Sequence, residues 1–528
     1  MIPAIVVFIY LGLVLYVGLF AFRKGTGSKE DFFVASRSLG PWVFLLTVFG
    51  TNMTAFAILG SSGLAYQRGI GVYGLMASSS GLVIPLTIFL IGTRLWALGK
   101  KHGYLTQVQY FRDRWECDGI GTVLFALTAL MMIPYVVIGM MGGGQTLESL
   151  SGGLVPYWLG GAIVAIVVML YVFFGGMRGV AWVNALQTVL FLVFGAIAFV
   201  LIGRSLGGFD TIVAQLAGDP KTAPLLTRAR ISPQEFFSYT FIPLSAMMFP
   251  HMAIMCLTAE KVTSFKRTVV WYPICILLIW LPSVFLGLVA AHQFPGLKLG
   301  ESDDVILRLL TANTDVIVAG ILGAAIMACV MATDSQIMAL STMFSQDVFA
   351  HYGGLQRYGE KAMVWMGRLF VIAIAVVSYL LALTLQDVKS IFDLAIRFGF
   401  SGFAALAPVM LAALFWRRST KWGALAAALW VAGCMIFLWW LQQHSNPLAP
   451  KPGQPPVAIF ESLGGWFQRT PMNVTIHGYM PVMFMCLGSA AWMVVVSLLT
   501  PPPSRATIEK FFPSRGGRAS LKERASGK

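Results

Sequence analysis

Two interrupted apolar stretches decide the fold: Val48–Tyr66, VFGTNMTAFAILGSSGLAY, and Phe241–Cys256, FIPLSAMMFPHMAIMC. The first carries Gly50, Gly60 and Gly63 with hydroxyls on either side of Asn52, and the second carries Pro243 and Pro250. Each is long enough to cross a bilayer, yet each is punctuated where an uninterrupted helix would be expected. Membrane helices tolerate single Gly and Pro residues, so either stretch alone decides little. Two such breaks at matching places in two halves of a chain point to unwound backbone at the bilayer midplane.

Working outward, apolar runs of roughly 20 residues recur along the chain. The sequence predicts an all-α membrane protein with thirteen transmembrane helices, at 2–22, 41–65, 72–98, 119–143, 155–175, 180–203, 236–258, 269–292, 314–344, 364–386, 391–416, 422–442 and 477–500, numbered spans 1 to 13. The interrupted stretches are spans 2 and 7. Each would then open a five-helix repeat, spans 2–6 and 7–11, and an odd helix number per repeat gives the two halves opposite orientation. The expected divisions are an N-terminal helix and first loop (1–40), a first repeat (41–203), an external loop (204–235), a second repeat (236–416), two peripheral helices with a long external loop (417–500) and a basic tail (501–528).

Composition agrees with this class. Of 528 residues, 57% are hydrophobic and 11% charged, against about 25% charged in soluble proteins. The net charge of +15 would suit nucleic acid, but its distribution excludes that partner. Lys and Arg cluster in alternate loops: Arg23, Lys24, Lys29 and Arg37; Arg94 to Arg114; Arg178; Lys261 to Arg267; Arg357 and Lys361; Arg417 to Lys421; and the tail from Arg505 to Lys528. The bias predicts an N-terminus outside, a cytoplasmic C-terminus and the plasma (inner) membrane as location. The tail reads as a solvated anchor or a contact for anionic lipid. Six scattered cysteines without a CxxC pair give neither a disulfide framework nor a thiolate metal site, and no nucleophile or metal-ligand spacing suggests an enzyme.

Several stretches together resemble the sodium:solute symporter family, whose fold is the LeuT-like inverted five-helix repeat. They are DFFVASRSLGPW (Asp31–Trp42), GTRLWALGKKHGYLTQVQYFRDRW (Gly92–Trp115), GGMRGVAWVNALQTVLF (Gly175–Phe191), PHMAIMCLTAEK (Pro250–Lys261), DSQIMALSTMFSQDVF (Asp334–Phe349) and ALAPVMLAALFWRRSTKWGAL (Ala405–Leu425). On their own terms, Arg37 sits at the entrance of span 2, and the 100–115 stretch alternates bases with aromatics as an interfacial helix would.

The resemblance implies a secondary-active symporter of a small organic solute, with no cofactor and with sodium as the coupling ion, held between spans 2 and 9. Such an ion takes about five oxygens, here from the carbonyls of Gly50, Met53 and Ala328 and from hydroxyls on span 9. The hydroxyl positions fall on Met331 and Ala332, and Thr333 stands one residue late, about 100° around the helix. Relatives often carry Asp where this chain has Asn52 and Asn184. Proton-coupled or uncoupled transport, or a solute sensor with a separate partner, therefore stand as alternatives. Asp334 reads as a structural acid or as a proton or cation carrier, on a helix face away from Ala328, Ala332 and Ser335.

The family's solute position implies a lining from Asn52, Thr54, Phe56, Ser80, Phe249 and Phe400. This set is apolar with few amides and hydroxyls, which disfavours a sugar and suits a carboxylate or amino acid. Arg397 would fork onto a substrate carboxylate or pair with Asp393 four residues before it. His251 would be a packing residue or a proton relay.

Overall fold

The computed structural model describes residues 2–23, 28–298, 300–385, 391–450, 454–471 and 473–513. Among them, ten helices are long and apolar enough to cross a membrane, and two bent pairs raise the number to twelve. Spans 1, 3, 4, 8, 9, 12 and 13 appear as single stretches at Ile2–Arg23, Gly71–His102, Asp118–Ser151, Thr263–Gln293, Val316–Ala350, Lys421–His444 and Pro481–Leu499. Spans 10 and 11 are Gly354–Leu385 and Ile391–Phe415. Expected spans 5 and 6 run together as Tyr157–Ser205. They turn at Gly176, whose φ of 54° and ψ of −152° only a residue without Cβ adopts readily.

Span 2 is the bent pair Pro41–Asn52 and Phe56–Arg68, with 60° between its halves. Span 7 is the pair Pro233–Met247 and Pro250–Thr258, with 49°. The second break follows from Pro250, which lacks an N–H and holds Phe249 extended, at φ −56° and ψ 120°.

Close helix approach relies on small residues. Gly175 at the end of span 5 and Gly179 just before span 6 lie against the Gly18 carbonyl of span 1, and a Cβ on Gly175 would come within 2.8 Å of that oxygen. This is the small-xxx-small contact by which membrane helices pack without a hydrophobic driving force between them.

The bundle is tied shut at the end bearing Arg37, Arg112 and Arg178. Leu39 N–H donates to the Thr258 carbonyl and Glu260 N–H to the Leu39 carbonyl, each at 3.1 Å. Arg37 donates to the carbonyls of Leu257 (3.2 Å) and Tyr104 (2.9 Å) and to Glu30 (3.0 Å). Arg178 holds the Asp31 carboxylate at 2.5 Å. The expected interfacial helix, Gln107–Trp115, is tucked beneath the bundle, with Arg112 and Arg114 buried. Its placement has a cause: the carbonyls ending span 11 need donors, and Arg114 supplies them to Ala413, Trp416 and Arg417 at 2.9 to 3.2 Å.

The start of the tail is more than a solvated anchor. Helix Arg505–Phe511 docks on 107–115: Ser504 and Thr507 donate to Glu116, and Lys510 reaches Asp113 at 2.7 Å. The remaining tail bases, from Arg515 onward, and Lys24 lie outside the described residues. The long loop before span 13 folds into a small antiparallel sheet of Val457–Ala458, Phe467–Arg469 and Val474–Ile476.

At the opposite end, Asp303 joins three elements. It sits in the loop turn Glu301–Asp304, 1% exposed, accepts the Ile391 N–H at the start of span 11 (2.7 Å), and presses its carboxylate on Gly63 of span 2. Burial pushes its carboxyl up to about 8; the Ile391 hydrogen bond opposes this, and the charges of Asp304 and Asp393 add to it.

Two outcomes are expected from this architecture. Gly175→Leu overpacks the span 1 contact, at a cost of about 1–3 kcal/mol, and lowers the melting midpoint in detergent; an unchanged midpoint would show the contact is not tight. Asp303 stays protonated in the folded chain up to about 8, whereas an unfolded aspartate ionises near 3.9. The folded state therefore holds more protons between these values, so stability falls as pH rises from about 4 to about 8. Melting scans across that window should show the decline, and Asp303→Asn should flatten it.

Candidate functional site: the breaks of spans 2 and 7

Unwound backbone inside a bundle leaves carbonyls without helical donors, and each must be met by protein, water or ion. At the span 2 break, Tyr135 Oη donates to the Asn52 carbonyl at 3.2 Å and Gln336 Nε2 to the Thr51 carbonyl at 2.9 Å. The Cys329 thiol lies 3.4 Å from the Met53 carbonyl and 3.2 Å from that of Thr54. At the span 7 break, Gln107 Nε2 donates to the Met248 carbonyl at 2.9 Å. Donors thus come from spans 4 and 9 and from the helix under the bundle.

The expected ion ligands are placed as follows. The Gly50 carbonyl accepts the Met53 N–H at 3.1 Å, while the Gly50 Cα packs on Thr188 and Asn184 of span 6. Ala328 is wholly buried one residue before Cys329. Met331, Ala332 and Thr333 form a single 3₁₀ turn. The first two offer no side-chain oxygen. Thr333 packs on Gly139 of span 4, and its hydroxyl donates to the Val330 carbonyl at 3.2 Å.

Asp334 follows that turn and is wholly buried. Its Oδ2 accepts from Tyr171 Oη at 3.0 Å, and its Oδ1 accepts from Asn184 Nδ2 at 2.8 Å and Ser335 Oγ at 3.0 Å. Asn184 also donates to Ser335 Oγ at 3.0 Å, so Asp334 and Ser335 share one partner despite the expectation of separate faces. The Asp334 carboxylate bends round to the N–H (2.5 Å) and hydroxyl of Ser335, which brings both side chains to the Asn184 amide. No basic side chain pairs with Asp334 among the described residues.

Beside the breaks, the rings of Phe56, Phe400, Phe249 and Tyr135 form one cluster, with centroids 5.0 to 5.5 Å apart between neighbours. Thr54 is buried among them, its carbonyl accepting the Ala57 N–H at 2.7 Å. A cavity of about 20 Å³ opens here, lined by Asn52, Phe56, Ser80, Tyr239, Ser245 and Phe400 among others. It has room for water and not for a solute. Asn52 donates to Tyr272 Oη at 2.8 Å, and its Oδ1 has no partner among the described residues. His251 is buried against Phe249 and Tyr135, with both ring nitrogens likewise unpartnered.

Arg397 stands apart from this group. It is ion-paired with Asp393 and donates to Asn473 at 3.2 Å, beside a separate cavity of about 740 Å³ at the end opposite the closed one. Reading the sequence alone missed Tyr135, Gln336, Cys329 and Gln107. The family pattern directs attention to oxygens, and these four are donors.

Comparison with known proteins fits the geometry. The model of the sodium:solute symporter family matches residues 32–431. The chain is 24% identical over 524 residues to the osmoregulated proline transporter OpuE of Bacillus subtilis, covering 95% of this chain and 96% of that one. It is 27% identical over 445 residues to the high-affinity proline transporter PutP of the same organism, covering 80% and 89%. A sodium/proline symporter of Staphylococcus aureus is 25% identical over 462 residues, covering 83% and 85%. Among solved structures, a Na+-coupled sialic acid symporter in a substrate-bound outward-open state superposes with a TM-score of 0.74 at 16% identity, covering 96% of this chain and 99% of that one. A nucleobase-cation-symport-1 family transporter gives 0.56 at 12%, covering 90% and 97%. These structural likenesses concern the fold, which is LeuT-like. The match over most of the chain makes this protein a member of the sodium:solute symporter family.

Proposed function

We propose that the protein imports a small amino acid, with proline the first candidate, by sodium-coupled alternating access. Thirteen spans cross the inner membrane, counting Tyr157–Ser205 as two about Gly176, with the N-terminus outside and the tail inside. Spans 2–6 (41–203) and 7–11 (236–416) are the two inverted repeats. Residues 1–40, 204–235, 417–500 and 501–528 are the first helix with its loop, an external loop, the peripheral helices and the tail. The end tied by Arg37, Leu39 and Arg178 is then the cytoplasmic gate, closed, while the large cavity opens outward.

The observation that carries this reading is the state of the span 2 carbonyls. Among the described residues the Met53 carbonyl meets only a thiol, a weak donor, and the Thr54 carbonyl has that thiol beside the Ala57 N–H, so a cation entering at Met53 displaces little. Gly50, Met53 and Ala328 are its proposed ligands, and Met331 and Ala332 leave the span 9 side to Thr333 after rotation of its hydroxyl. The solute lies beside the ion, its nitrogen on the free Asn52 Oδ1, its apolar body against Phe56, Phe249 and Phe400, and its carboxylate toward the amide ends of the broken helix, where anions are favoured. Thr54 and Ser80 add hydroxyls. The large space opposite the gate and the proline transporters among the relatives support an amino acid over a sugar.

One observation favours a second reading: Asp334 is surrounded by neutral donors alone, which suits a group that gives and takes a proton. Uptake in proteoliposomes separates the two. Labelled L-proline, other amino acids and monocarboxylates are offered under imposed sodium or proton gradients. L-Proline should accumulate with sodium and continue to do so in Asp334→Asn. Accumulation that follows protons without sodium and disappears in Asp334→Asn would replace sodium by a proton carried on Asp334.

A further inference from the structure

Phe512, just past the docked tail helix Arg505–Phe511, has three arginines around its ring. The guanidinium carbons of Arg94, Arg114 and Arg417 lie 5.2, 5.1 and 5.9 Å from its centroid, and that of Arg94 is also 5.0 Å from the Phe415 ring. The three come from separate elements: span 3, the helix beneath the bundle, and the connector after span 11. A ring has two faces, so at least two of the cations share one. The ring quadrupole attracts each of them but carries no net charge to offset their mutual repulsion.

No carboxylate offsets it either. Among the described residues none of the three arginines forms an ion pair. The acids beside Arg114 in the chain are engaged elsewhere: Glu116 accepts from Ser504 and Thr507, and Asp113 from Lys510 and Tyr104. Arg114 is wholly buried, with Nε and Nη2 spent on the span 11 carbonyls and on Ser419. Its Nη1 is buried with no partner, and so is Arg94 Nε. Burial holds the Arg114 guanidinium below its ordinary value; Tyr110 and Glu116 oppose this, and the Arg94 charge adds to it. Charged N–H groups hidden from water without an acceptor are costly. Charges that only set topology need a solvated loop rather than a buried position. The cluster lacks an oxyanion with several acceptor oxygens.

Its place in the bundle says which oxyanion. Arg94 belongs to a membrane-crossing helix, and the Phe415 ring against it ends another and is 47% exposed, where acyl chains would lie. Basic pockets between membrane helices near the interface bind anionic headgroups. We infer that Arg94, Arg114 and Arg417 form a binding site for the phosphate of an anionic phospholipid at the closed end of the bundle, with Phe415 against its acyl chains. The site shares no residue with the breaks of spans 2 and 7, and it stands whichever solute or ion is carried.

The test uses the full chain, delipidated in detergent, with dioleoylphosphatidylglycerol, dioleoylphosphatidylcholine and inorganic phosphate as separate probes. Retained lipid is read by native mass spectrometry, and the melting midpoint is followed for all three. Phosphatidylglycerol should be retained and should raise the midpoint, whereas phosphatidylcholine and inorganic phosphate should leave it unchanged. Arg94→Gln with Arg417→Gln should weaken phosphatidylglycerol binding at least tenfold, the loss of a hydrogen bond between charged groups. Arg114 is left in place because it holds the end of span 11. Lys266→Gln with Lys361→Gln removes the same charge from exposed positions and should bind as the wild type does. If the arginine pair does not yield folded protein, Arg94→Gln and Arg417→Gln are compared singly, each with weaker binding expected. Equal phosphatidylglycerol binding by the arginine and lysine variants would overturn the site. A midpoint raised as much by inorganic phosphate as by phosphatidylglycerol would overturn the lipid as its ligand.

Discussion

The structure depends on one constraint: polar backbone opened inside a membrane must find partners within the protein. Span 2 opens at Met53 to Ala55, and span 7 opens before Pro250. Around these points the bundle is arranged as a set of donors. Tyr135 comes from span 4, Gln336 and Cys329 from span 9, and Gln107 from the helix beneath. Removing any of the strong donors strands a buried carbonyl, at a cost of about 1–3 kcal/mol. The weak donor, Cys329, marks where the proposed ion would replace a protein partner.

Charge placement obeys the same economy. Asp334 sits where four neutral donors converge: the Tyr171 and Ser335 hydroxyls, the Asn184 amide and the Ser335 N–H. The amide of span 6 and the carboxylate of span 9 meet at 2.8 Å. Arg114, buried deeper than any other arginine on its helix, closes the carbonyl end of span 11. At the two ends of the bundle, cations serve opposite tasks. Arg37 and Arg178 lock one end shut, and Arg230 and Lys298 line the open one.

Much of this was legible in the sequence. Hydropathy alone located the apolar stretches, although Asp118–Ser151 runs on past the expected end at 143 and Gly354–Leu385 begins before the expected 364, and Gly and Pro placement located both breaks, because these depend on local chemistry. The division between spans 5 and 6 was legible too: Gly176 falls between the two expected stretches, and the chain turns there. The docked tail helix was invisible because its stability comes from Glu116, Asp113 and Tyr110, distant in sequence. The candidate site was half legible. Asn52, Phe56, Phe249 and Phe400 gather beside the breaks, as the family pattern implies. Arg397 belongs to the outer cavity instead, because Asp393 and Asn473 draw it there. The donors to the open carbonyls carry no periodic or motif signature, since any hydroxyl, amide or thiol at the right depth serves.

The central claim, that an ion takes over the carbonyls now facing Cys329, is tested most directly by the reactivity of that thiol. In a variant retaining Cys329 as its only cysteine, the rate of maleimide labelling is compared in sodium chloride and potassium chloride, with and without L-proline. Sodium should slow labelling at equal ionic strength, and L-proline should slow it further only when sodium is present. A rate indifferent to sodium would place the ion elsewhere and contradict the account.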